Sequence, residues 1–221
     1  MGLRLGLLLL ALFFFLIFFV AGSFVYKGAY DNKYSIKRML PFEFNYGGLF
    51  AKNFIANITF VLSLVCFIIY SVIFNDSAYS LGGLSASLIF GILVATCIGL
   101  VYFIPLKSIR IHGVCDALLF SLSFAYNGSI LISCFQIYQS DVANKTVPII
   151  VLVLVILEMI VLLANVMNPR LSLTIKADKV IENGKEEYLR PKFIPLAFCE
   201  WCYILANYFN LILIFILMLA F

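Results

Sequence analysis

The sequence predicts an all-α integral membrane protein: a six-transmembrane-helix bundle with both termini on the non-cytoplasmic side and a short β-hairpin in its last cytosolic loop. Three observations carry that reading. The 221 residues are 64% hydrophobic and 12% charged, with a mean hydropathy of +1.11, whereas a soluble domain carries about 25% charged residues. Six stretches reach the roughly 20 apolar residues that cross a hydrocarbon core of about 30 Å. The cations gather on one side of those stretches. The same arithmetic excludes a disordered chain, a disulfide-stapled secreted fold and a nucleic-acid-binding protein, and it makes residues 1–221 a single polytopic membrane domain.

In chain order, the spans run over about residues 3–26, 54–74, 83–106, 117–138, 147–167 and 199–221. The first is rich in Leu and Phe, with Phe13, Phe14, Phe15, Phe18 and Phe19 together, so it reads as peripheral and lipid-facing. Arg4 and the run Ala21-Gly22-Ser23 loosely match a signal peptide. The apolar core is longer than such a peptide needs, however, and cleavage would leave a basic segment outside. The third span carries Gly83, Ser87, Gly91, Ala95 and Gly99, and the fourth Ala117, Ser121, Ala125, Ser129 and Ser133. Small residues at four-residue spacing let membrane helices approach closely, so these two spans are expected to pack face to face. The fifth span is almost entirely Ile, Leu and Val, and the core falls to spans two, three, four and six.

Lys and Arg accumulate on the cytoplasmic side. Lys27, Lys33, Lys37, Arg38 and Lys52 lie in the first connection, Lys107 and Arg110 in the third, and Arg170, Lys176, Lys179, Lys185, Arg190 and Lys192 in the fifth. Only Arg4 and Lys145 lie opposite. Residues 27–53 mix their cations with Tyr26, Tyr30, Tyr34, Phe42, Phe44, Tyr46 and Phe50, a composition suited to lying on anionic lipid, or to docking a partner. In residues 168–198, Asn168-Pro169 stops the fifth helix. Asn183-Gly184 then sits between Asp178–Glu182 and Lys185–Leu189, the strongest short hairpin signal.

An ionisable residue deep in a span points to function. Glu158 lies at the centre of the fifth span, where burial disfavours a charged carboxylate unless a cation or hydrogen bonds compensate. Asn127 and Asn210 are the midpoints of the fourth and sixth spans, and Asn207 lies one turn closer to the cytosol. Asn165 and Asn57 lie lower still. Two readings compete: Glu158 with Asn127, Asn210 and Asn207 forms a proton-, cation- or solute-binding site on a transport path, or these groups join helices and Glu158 meets a partner subunit or a second copy of the chain. A weaker third reading is a thiol oxidoreductase using Cys199 and Cys202 of a CxxC at the mouth of the last span.

The remaining chemistry points away from an enzyme. His112 is the only histidine and is read as a loop residue, the spans hold no paired carboxylates, and no HExxH, phosphate loop or dinucleotide fingerprint occurs. No cofactor and no metal site is expected. The sequence thus points first to movement of a small solute or ion, and second to a non-catalytic subunit of a larger membrane complex.

Overall fold

The computed structural model of the protein describes residues 2–30, 34–75, 82–105, 109–140, 144–172, 178–182, 185–189 and 191–219. Six long apolar helices are present: α1 (Gly2–Tyr30), α3 (Phe54–Asn75), α4 (Gly82–Phe103), α5 (Ile109–Gln139), α6 (Thr146–Val166) and α7 (Pro195–Met218). All six are long and apolar enough to cross a membrane, which makes this an integral multi-pass membrane protein. A 3-10 helix (Pro41–Gly48) and the short α2 (Leu49–Lys52) fill the first long connection. In the last, β1 (Asp178–Glu182) and β2 (Lys185–Leu189) form an antiparallel ladder with Glu182 opposite Lys185. The Asn183-Gly184 link lies outside the described residues.

Burial sorts the helices by role. The most apolar stretch of α7 is 61% buried, against 22% for those of α1 and α6, so α7 is central and the other two line the edge. Hydroxyls knit α7 to its neighbours, as expected where lipid removes the usual hydrophobic drive between helices. Ser63 donates to the Ala11 carbonyl (2.6 Å), leaving Tyr208 Oη to donate to Ser63 (2.7 Å). Tyr70 Oη donates to the Leu211 carbonyl and Tyr203 Oη to that of Leu162. Although peripheral, α1 does not merely face lipid: Phe18 is buried against Phe44, Phe60 and Tyr102.

The first connection is more deeply built in than an interfacial segment would be. Met39, Leu40, Phe42 and Phe44 are buried, and Tyr34 stacks on Phe44 at 4.2 Å. Burial, reinforced by the nearby charge of Glu43, holds the Tyr34 phenol well above its ordinary ionisation range. The phenol is therefore a neutral donor, and its Oη lies 2.8 Å from the Leu40 carbonyl. The segment also pins the entry to α7: Ile194 N donates to the Lys37 carbonyl, Arg38 Nε donates to that of Pro191, and Pro195 opens the helix, a position that needs no backbone N–H.

The small-residue rows behave differently from a continuous seam. Gly83 meets the Ser129–Ser133 stretch of α5, where a Cβ would fall 2.6 Å from Ser133 N. At Gly91 the nearest atom is Ser71 Oγ of α3, and at Gly99 it is in Leu64 of α3. Ser87 and Ala95 are buried between these points, whereas on α5 Ala117 and Ser121 are exposed and Ala125 is half-buried. At 3.6 residues per turn a row of every fourth residue drifts about 40° per step. Five members therefore cannot share one face of a straight helix, and the α4 row walks from α5 round to α3. Gly83→Ala is expected to cost about 1–3 kcal/mol, because backbone must shift to admit the methyl group. Gly128→Ala, with nothing within 4 Å, should instead stabilise α5 by up to about 1 kcal/mol. Unfolding midpoints of the two variants in one detergent check both signs.

Candidate functional site

Near the middle of α5, α6 and α7, three polar side chains from three helices meet. Asn127 Nδ2 donates to Glu158 Oε1 at 3.0 Å, and Asn210 Nδ2 donates to the same oxygen at 3.1 Å. Asn127 and Asn210 are fully buried, and Glu158 is half-buried. The Asn127 amide also donates to the Ser123 carbonyl one turn back, so its donors are spent. Its acceptor is not: Asn127 Oδ1, Asn210 Oδ1 and Glu158 Oε2 are buried with no hydrogen-bond partner.

Asn207 does not join Glu158. Its amide donates to Ser123 Oγ at 2.7 Å and to the Tyr203 carbonyl at 2.7 Å. Three residues before Asn210, it points about 60° away around the helix and one turn nearer the basic end. Its Oδ1 is again a buried acceptor without a partner. The lower amides are engaged elsewhere: Asn57 accepts from Tyr102 Oη and donates to the Phe50 carbonyl, and Asn165 donates to its own helix at Val161. Among the described residues, a protein seam thus holds four buried acceptor oxygens without a hydrogen-bond partner, an arrangement able to receive a proton, water or a desolvated cation.

A second polar cluster lies nearer the basic end, where the sequence reading placed a loop. Because α5 begins at Ile109, His112 and Asp116 sit one helical turn apart on its buried face. Glu200, inside α7, is fully buried beside them, with Oε1 3.2 Å from His112 Nε2. Asp116 Oδ2 is 3.7 Å from the same nitrogen. So half-buried Glu158 is not the only carboxyl group within the bundle. The available signals were the i, i+4 spacing of His112 and Asp116 and the placement of Glu200 after a Pro that opens a helix. Cys199 and Cys202 are free thiols on α7, the first buried and the second half-buried.

Comparison of the chain with family models, curated proteins and solved structures finds no match, so the functional reading rests on this geometry.

Proposed function

We propose that this chain moves a proton or small cation across its membrane, with Glu158 holding the traveller and Asn127 and Asn210 as its ligands. The supporting observation is the imbalance between donors and acceptors. Groups that served only to join helices would pair each carbonyl with a donor, since a buried polar atom left unpaired costs about 1–3 kcal/mol. Here two amides converge on one carboxylate oxygen while the acceptors around it stay unmatched. A proton on Oε2 converts one acceptor to a donor, and a desolvated cation engages several at once. Asn207, one turn away, offers a further stop towards the basic end. In this reading both termini face away from the cytosol, and the β1–β2 ladder belongs to the last cytosolic loop. The thirteen cations of the cytosolic connections then face anionic lipid.

A second reading, an accessory subunit, is favoured by one observation. Glu158 is only half-buried, on a helix whose Val153, Leu157, Ile160 and Val161 are exposed, so a partner helix could cover it.

Purified protein in liposomes, loaded with a pH-sensitive dye and given proton, Na⁺ or K⁺ gradients, tests the proposal. Wild type should carry one of these ions, and folded Glu158→Gln should fall to the background of empty liposomes. Wild-type flux in that variant would overturn the carrier reading. A fixed partner that co-purifies with wild type and is lost from the variant would place Glu158 at an interface.

A further inference from the structure

We infer that His112, Asp116 and Glu200 form a binding site for a divalent transition-metal ion, separate from the Glu158 layer. The argument starts with the imidazole. α4 ends before Pro105, and the carbonyls of a helix C-terminus lack intrahelical donors. His112 Nδ1 lies 2.6 Å from one of them, the Ile104 carbonyl. A carbonyl only accepts, so Nδ1 carries a hydrogen, and the lone pair of a neutral ring then lies at Nε2. That lone pair faces Glu200 Oε1 at 3.2 Å and Asp116 Oδ2 at 3.7 Å. With the ring neutral and both carboxyls ionised, three acceptors converge, and something positive belongs between them.

A proton on Nε2 meets the need only in part. It satisfies Glu200 Oε1, but Asp116 is beyond hydrogen-bond reach, and both Asp116 oxygens and Glu200 Oε2 remain buried without partners. Among the described residues, the ion pairs of both carboxylates are with His112 alone. A divalent ion would balance the Asp116 and Glu200 carboxylates and engage all three side chains.

The geometry suits such an ion. The three ligand atoms lie within 4.8 Å of one another, and ligands about 2.0–2.2 Å from a zinc ion sit roughly 3–3.5 Å apart. Only a small inward movement of the Asp116 side chain is required. One imidazole and two carboxylates form a donor set acceptable to Zn²⁺, Mn²⁺ or Fe²⁺. The Nδ1–H···O=C contact is the outer-shell bond that metal-ligating histidines ordinarily make, fixing tautomer and ring orientation. The Phe42 ring, edge-on to His112 at 5.5 Å, helps to close the site from solvent.

The test uses the full chain in detergent, treated with EDTA, desalted, and then titrated with ZnCl2, MnCl2 or CoCl2. One equivalent of metal should survive a second desalting and raise the unfolding midpoint. Glu158→Gln should retain that equivalent, and Asp116→Asn should retain less than about a tenth of it. Metal retained equally by wild type and Asp116→Asn would overturn the site, as would no retained metal at all or a loss in Glu158→Gln. Should Asp116→Asn not fold, X-ray absorption at the metal edge of wild type decides the matter. A shell of nitrogen and oxygen with one imidazole supports the assignment, and a sulfur shell from the cysteines rejects it. Because the Glu158 variant is scored separately, failure of this site leaves the carrier reading untouched, and the reverse also holds.

Discussion

Trp201→Ala is expected to lower stability by about 3–5 kcal/mol, the range for deleting a buried aromatic side chain. Trp201 is 1% exposed and sits where three parts of the chain meet. Its ring packs against Phe18 and Phe19 of α1, at 6.4 and 5.5 Å, and against Tyr34 and Phe44 of the first connection, at 6.1 and 6.3 Å. Its Nε1–H donates to the Met39 carbonyl at 3.0 Å and lies 3.2 Å from Tyr34 Oη. Truncation therefore opens a cavity and also releases the segment that closes the basic end of the bundle. Trp201→Phe keeps most of the ring contacts and loses the hydrogen bonds, so it should cost only about 1–2 kcal/mol. Unfolding midpoints of both variants in one detergent test the order, and equal losses would mean that packing against α1 contributes little.

The helices were legible because a membrane span is a composition before it is a contact: apolar runs of the right length declare themselves. The polar layer was legible for a related reason. Counting residues from each end of a span gives depth, and equal depth groups Glu158, Asn127 and Asn210, which meet in the fold. Depth does not give direction around a helix. Depth alone therefore groups Asn207 with the three although it faces Ser123, and spacing alone makes the small-residue rows one seam although the α4 row winds from α5 to α3.

The His112 cluster failed on both counts. Polar residues at the start of α5 lower its hydropathy, so the sequence predicts a span from residue 117 whereas the helix begins at Ile109. Yet His112 and Asp116 face protein, not lipid, and a membrane helix tolerates such residues where neighbouring helices cover them. Their counterpart, Glu200, lies 88 positions from His112, and no local pattern reports a pairing across that distance.

Glu158→Gln is expected to stabilise the folded protein even as it removes the proposed transport, and the sign follows from counting donors. A glutamine keeps a carbonyl oxygen where Glu158 Oε1 accepts from Asn127 and Asn210. Its amide nitrogen puts a donor in place of Oε2, a buried oxygen without a partner among the described residues, in a layer where Asn127 Oδ1 and Asn210 Oδ1 are also unpaired. Each acceptor satisfied is worth about 0.5–1.5 kcal/mol, and the cost of holding a carboxyl among acceptors disappears. Glu158→Leu should act in the opposite direction. It leaves the Asn210 amide without its acceptor, at about 1–3 kcal/mol, while Asn127 retains the Ser123 carbonyl. The expected order of unfolding midpoints is therefore Gln above wild type above Leu. If Glu158 only joins helices, its hydrogen bonds as a charged acceptor are worth about 1.5–3 kcal/mol, and both variants should melt below wild type. A site found to be less stable than its neutral isostere, and inactive once neutralised, would keep its unmatched acceptors for the proposed transport. That trade of stability for function is common where activity needs an uncompensated group.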